Sequence, residues 1–167
     1  TMKSIKAKLL SVVLGGIFTI VAAGAVAVYS FHVLIVDFDS VIKQQLDARY
    51  QTNKMLSEFK TQVQEWKNIL IRGAEPDQYD KYLKRFISNE QLIQQQVDAL
   101  IVRPYLLPSS LAILKEFKQE HLKLGVLYRQ GLEDFKVAQF NTQAGDDAVQ
   151  GIDRESVTLL NQLSKDI

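Results

Sequence analysis

The chain has 167 residues, the size of a single domain, with 47% hydrophobic residues, 8 Gly, 3 Pro and no Cys. The absence of cysteine excludes disulfides, thiol catalysis, covalent haem attachment and zinc–thiolate sites. The formal net charge is +1, but setting aside Lys3, Lys6 and Lys8 leaves 17 Lys+Arg against 19 Asp+Glu, a net of −2 with no basic excess for a nucleic-acid face.

Those three lysines precede residues 9–36, which contain no Asp, Glu, Lys or Arg. About 20 apolar residues suffice to cross the hydrocarbon core, so this run is long enough. The lysines orient it with the N-terminus in the cytoplasm. We therefore expect a cytoplasmic basic N-terminus over 1–8, a transmembrane helix over 9–32 and an extracytoplasmic domain over 33–167. Tyr29, Phe31 and His32 suit the interfacial zone at the far end. Ala25-Val26-Ala27 also resembles a signal-peptide cleavage site, but signal h-regions usually run about 7–15 residues, which favours a retained anchor.

Beyond the anchor, helical periodicity and turn residues divide the chain into four amphipathic helices. The first runs on from the membrane to about Arg72 and stops at Gly73; its apolar positions Leu56, Phe59, Val63, Trp66 and Leu70 alternate steps of three and four. Ala74-Glu75-Pro76-Asp77 is the link. The second spans about 76–102, with Tyr79, Leu83, Phe86, Ile93, Val97 and Leu100 on one track. Residues 103–109 hold two prolines and break it, and Ser109 or Ser110 can cap the third helix. That helix carries Leu114, Phe117, Leu124, Tyr128 and Phe135 and fades near Asn141. Residues 143–147 read as a polar link. The fourth helix carries Val149, Ile152, Ser156, Leu159, Leu163 and Ile167, and reaches Ile167 still in phase, as if heading for a second membrane segment. Four such helices with short links predict an all-α, antiparallel up-down-up-down four-helix bundle, preceded by a transmembrane helix continuous with the first helix. Spacing near 3.5 implies gentle left-handed supercoiling.

Three stretches resemble the sensor domains of bacterial methyl-accepting chemotaxis proteins. Val63-Gln64-Glu65-Trp66-Lys67-Asn68-Ile69-Leu70-Ile71-Arg72-Gly73 looks like the end of their first sensor helix, Asp80-Lys81-Tyr82-Leu83-Lys84-Arg85-Phe86 like the start of their second, and Gly151-Ile152-Asp153-Arg154-Glu155 like the opening of their fourth. With the anchor, the likeness covers essentially the whole chain. Similar bundles also occur on histidine kinases and cyclic-dinucleotide enzymes. The resemblance implies a homodimer in the bacterial inner membrane with its sensor domain in the periplasm. It also implies a small-molecule ligand or periplasmic binding protein engaged near the membrane-distal end, between first and fourth helices, and a small piston-like shift of the last helix as the signal. A structural periplasmic adaptor without a small ligand is the other reading.

The predicted topology brings all three stretches to the distal end. Trp66, Asn68, Arg72, Arg85, Tyr128, Asp153 and Arg154 are therefore the candidate ligand-binding residues, with guanidinium groups beside aromatic walls suited to a small anion. The structural alternative has Trp66 and Tyr128 in the core and the arginines paired with Asp77, Asp153 and Glu155. If the second and third helices turn around residues 103–108, Glu90 falls opposite His121 on the apolar tracks. A buried carboxylate and histidine must then satisfy each other, either to fix register or as a proton-sensitive or ligand-holding site. No Gly-rich phosphate loop, nucleophile–base motif or metal-ligand spacing is present, so neither catalysis nor a cofactor or metal is expected.

Overall fold

The computed structural model describes residues 2–167, with side chains from Ser4 onward; Thr1 and the side chain of Lys3, both within the basic segment 1–8, lie outside the described residues. The described residues form five helices: α1 (Met2–Arg72), α2 (Pro76–Ile101), α3 (Pro108–Val137), α4 (Thr142–Ala148) and α5 (Arg154–Asp166). No strand occurs among the described residues.

The chain divides into two units, residues 1–43 and Gln44–Ile167. In the first, every described side chain is exposed, including Val12, Phe18, Ile20 and Val28. A helix apolar all round and buried nowhere is stable only in apolar surroundings, and this one is long and apolar enough to cross a membrane.

The second unit has a core to which four of the helices contribute. From α1, Ala48, Thr52, Met55, Phe59, Gln62, Trp66 and Ile69 are buried at steps of four and three, the narrow stripe of a helix packed nearly parallel to its neighbours. Leu56 and Val63, expected on that stripe, lie half-buried on its flank, because Gln62 interrupts the apolar pattern that marks its centre. Phe86, Ile93, Val97 and Leu100 of α2 and Leu114, Phe117, Leu124, Tyr128 and Phe135 of α3 are buried as the periodicity predicts, as are Leu159 and Leu163 of α5.

Polar ties fix the helix ends. Tyr105, between α2 and α3, donates to Asp47 Oδ2 (3.1 Å) and accepts from Gln45 Nε2 at its carbonyl (3.4 Å), both on α1. Ser109 and Ser110 donate to Asp166 Oδ2 at the end of α5 (2.7 and 2.6 Å). They do not cap α3 as expected: the N-cap is Leu107, with Pro108 fixing the first turn. At the other end, Arg72 donates to Tyr82 Oη (2.9 Å), and Thr142 Oγ1 donates to the Leu70 carbonyl (2.9 Å).

Residues 143–147, expected as a polar link, belong to the short helix α4, and the last long helix begins at Arg154 rather than near Val149. Two local devices explain this. At the end of α3, Phe140 N–H bonds the Phe135 carbonyl (2.8 Å) and Gln139 N–H bonds that of Lys136 (3.0 Å), with the Phe140 ring set edge-on against Phe135 at 5.3 Å. This is a Schellman stop, made without glycine by Gln139 and Phe140 at φ of 55° and 62°. Asn141 Oδ1 then accepts from Ala144 N–H (3.2 Å) and restarts the helix as an N-cap. Gly151, at φ of 74°, makes the turn into α5 that other residues would adopt only under strain.

Candidate functional site

The seven residues expected to converge fall into two groups. Trp66, Tyr128, Asp153 and Arg154 line one pocket of about 200 Å³, where the end of α1 faces the α4–α5 turn. The other three, Asn68, Arg72 and Arg85, gather with Glu65 and Tyr82 on the α1–α2 face. There Arg72 Nη1 donates to Asn68 Oδ1 (3.2 Å) and Tyr82 Oη (2.9 Å), and Arg85 lies 3.8 Å from Glu65 Oε1. Both guanidiniums, and the Lys81 ammonium, sit 5.2–5.7 Å from the centre of the Tyr82 ring. The partners of Arg72 and Arg85 are thus Asn68, Tyr82 and Glu65, and not the Asp77, Asp153 or Glu155 of the structural alternative.

The pocket is built differently. Helical spacing brings Val63, Trp66 and Lys67 of α1 to it, and the turn at Gly151 folds Arg154 back so that its guanidinium covers the glycine. Trp66 packs on Tyr128 and Phe86 with ring centres 4.9 and 6.1 Å away, yet its buried indole Nε1–H has no hydrogen-bond partner. A buried donor left unpaired costs about 1–3 kcal/mol. Among the described residues, neither Lys67 nor Arg154 forms an ion pair, although Asp146 and Asp153 line the same pocket. Asp153 holds the N-cap position of α5 but its side chain makes no capping bond. Burial, and then the charge of Asp153, raises the Tyr128 phenol well above its ordinary value, so it stays protonated. The chemistry on offer is a buried indole donor and an aromatic wall beside two exposed cations, Lys67 and Arg154, and two carboxylates, Asp146 and Asp153.

Glu90 and His121 line a second and larger cavity, about 670 Å³ between α2 and α3, but they do not bond to each other. Glu90 takes Arg129 in a two-point pair (Nη1 to Oε1 2.9 Å, Nη2 to Oε2 2.6 Å), and Arg129 also donates to the Gly125 carbonyl (2.7 Å). The Glu90 carboxylate is 13% exposed, the Arg129 side chain 55%. His121, 1% exposed, bonds Gln94 of α2 through Nδ1 and Gln62 of α1 through Nε2 (2.8 Å), and stacks on Phe117 at 5.6 Å. Gln62 Nε2 is buried and unpartnered, so its carbonyl is the atom facing the ring: Nε2–H donates to Gln62, and Nδ1 accepts from Gln94. Burial drives the His121 pKa down to about 4, against a smaller upward pull from Glu90. The imidazole is therefore neutral at ordinary pH.

The sequence-based register missed Gln62, Gln94 and Arg129. Side chains on a helix lean toward its N-terminus, so on two helices joined by a turn the tips meet about a turn away from the Cα register. Allowing for that lean pairs Gln94 with His121 and sets Glu90 opposite Gly125, where Arg129 reaches back one further turn to meet it. Among the described residues no three His, Asp or Glu side chains gather as metal ligands.

Comparison with known proteins gives one informative match. The methyl-accepting chemotaxis protein CtpH of Pseudomonas aeruginosa is 37% identical over 111 residues, which cover 66% of this chain and 19% of that protein. No family model matches the sequence. No solved structure matches it either. The chain thus spans about a fifth of that relative's length. All-helical, with an apolar N-terminal helix able to cross a membrane, it is a homologue of a methyl-accepting chemotaxis protein.

Proposed function

We propose that this chain is the membrane-anchored sensor part of a chemoreceptor, a binding and signalling module and not an enzyme. In this reading residues 9–32 cross the inner membrane, 1–8 lie in the cytoplasm, and 33–167 form a periplasmic sensor that works as a homodimer. Helices α1, α2, α3 and α5 make the antiparallel up-down-up-down bundle. The ties of the α2–α3 turn to the start of the core stripe of α1, and of α4 to its end, support that arrangement.

The ligand pocket, here the distal pocket, is the one lined by Trp66, Lys67, Tyr128 and Arg154 at the C-terminal end of α1. One observation carries this: a buried indole donor without a partner beside two exposed cations, Lys67 and Arg154, that form no ion pair although Asp146 and Asp153 share the pocket. A small anion held by Lys67 and Arg154 would reach the indole N–H only where the pocket opens around Trp66 to admit an acceptor oxygen. Ligand held there joins α1 to the start of α5, so occupancy can displace the last helix along its axis. The pocket's size limits the ligand to a few heavy atoms, or to one end of a larger molecule.

The test is a thermal-shift screen of the full chain in detergent micelles against small carboxylates and inorganic anions. A ligand of the folded form stabilises it by RT ln(1 + [L]/Kd), so the melting temperature climbs with the logarithm of ligand concentration above Kd. The expected result is a rise, logarithmic in anion concentration, that disappears in Arg154→Ala and survives in Arg72→Ala, whose guanidinium already serves Asn68 and Tyr82. If no anion shifts the melting temperature, the pocket is not a direct sensor, and a periplasmic binding protein or a purely assembling role replaces it.

A further inference from the structure

The cavity between α2 and α3 is absorbed by none of this. It lies on a different helix pair from the distal pocket, and its volume of about 670 Å³ falls in the range of small-molecule sites, roughly 300–1,000 Å³. Its walls are unlike those of an ordinary helix seam. From α2 come Glu90, Gln91, Gln94 and Gln95, two adjacent helical rows that present three carboxamides side by side. From α3 come His121 on the floor, the exposed apolar edge of Leu122 and Val126, and Gly125. A Cβ on Gly125 would run into Glu90 Oε1 and crowd Arg129, so glycine there is what lets the Glu90–Arg129 pair lie down against the helix and close one end.

The lining charges cancel. Glu90 and Arg129 meet each other's hydrogen bonds, and His121 is neutral. Both charged lining groups are held in one ion pair, so the groove differs from the distal pocket, where Lys67 and Arg154 form none. What remains is an array of amide donors and acceptors beside an apolar edge. Carboxamides pair with neighbouring donor and acceptor groups, such as those of amides, polyols and nucleobases.

We propose that the α2–α3 groove is a second binding site, for a neutral small molecule bearing adjacent hydrogen-bond donors and acceptors, and that the Gln94–His121–Gln62 chain carries its occupancy to α1. The chain of side chains links three helices: Gln94 on α2 lines the groove, His121 on α3 forms its floor, and Gln62 on α1 lies behind it. Gln62 keeps its buried amide NH2 group unpartnered, so the network is not saturated and has an alternative arrangement available when Gln94 turns to a ligand.

The test uses the full chain in detergent micelles, isotope-labelled at histidine. Only His32 and His121 are present, so two ring signals report, one from the groove floor and one from the apolar segment. The probes are xylitol, glucose, acetamide and uracil, with acetate and ammonium as charged counterparts. The expected result is a saturable shift of the His121 signal, and not of His32, with at least one neutral probe. In a Gln91→Ala, Gln95→Ala double variant, which changes only exposed side chains, the same titration should weaken by about tenfold or more. Arg154→Ala should leave it unchanged, so failure here and failure of the distal pocket are separate results. The proposal is overturned if no neutral probe moves the His121 signal, if only the charged compounds do, or if the double variant binds as before.

Discussion

The two polar sites of the second unit handle charge in opposite ways. At the distal pocket Lys67 and Arg154 have no ion-pair partner among the described residues, and Trp66 has an unused indole donor. In the α2–α3 groove the charged groups are held in a two-point pair, and the buried histidine is bonded at both nitrogens. The difference teaches which polar groups serve the fold and which are left for something else. A group that the protein already satisfies contributes stability, and removing it leaves its partner stranded. A group that the protein leaves unsatisfied contributes little or costs stability, and in the function proposed above a ligand accounts for those at the distal pocket.

Substitution separates the two cases, and the largest effect belongs to the groove floor. His121→Ala removes a buried ring and strands Gln62 and Gln94, and should cost about 3 kcal/mol in urea unfolding followed by circular dichroism. A comparable loss with His121→Gln, which keeps an amide to bond its neighbours, would show that packing and not hydrogen bonding dominates there.

Acid tests the same residue without mutation. Because the folded pKa of His121 is about 4 and the unfolded value about 6.5, the unfolded chain binds more protons between them. Stability is therefore full above pH about 6.5, falls as the pH drops toward 4, and receives no further loss from this group below that. The total is on the order of 3 kcal/mol. Unfolding free energies measured across that window should fall less steeply in His121→Gln; parallel curves would mean the imidazole is more hydrated than its burial indicates.

Glu90→Gln leaves Arg129 without its counter-charge. Since the arginine side chain is 55% exposed, water takes up most of the loss, and about 1 kcal/mol or less is expected by the same unfolding measurement. The smallest effect falls on the distal pocket: Arg154→Ala should change stability by less than about 0.5 kcal/mol in the absence of ligand. A loss as large as that at Glu90 would reveal a protein partner for Arg154 and remove the contrast on which the distal reading rests.

Much of the fold was legible because helix periodicity and turn residues are local signals. The end of α1 before Gly73 and the start of α2 at Pro76 follow from backbone chemistry that needs no neighbour, and so does the buried track of α3 through Leu114, Phe117, Leu124 and Tyr128. The end of α3 was not legible, because its left-handed stop is made by Gln139 and Phe140, residues that seldom adopt that conformation. Asn141 was the one local sign that a helix restarts there.

The candidate sites divide along the same line. Sequence determined the residue types: aromatic and basic residues near the end of the first helix and the start of the last, and a histidine on an apolar track. It also determined that residues 9–36 carry no charge. Only the tertiary structure decided the partners, drawing Arg72 and Arg85 to Tyr82 and Glu65, leaving Arg154 beside Trp66, and giving Glu90 to Arg129 and His121 to two glutamines. The reason is geometric. Periodicity fixes which face of a helix is buried, but the partner of each side chain depends on how far one helix is shifted along another and which way the side chains lean. A shift of a single turn exchanges every partner while leaving the apolar pattern unchanged.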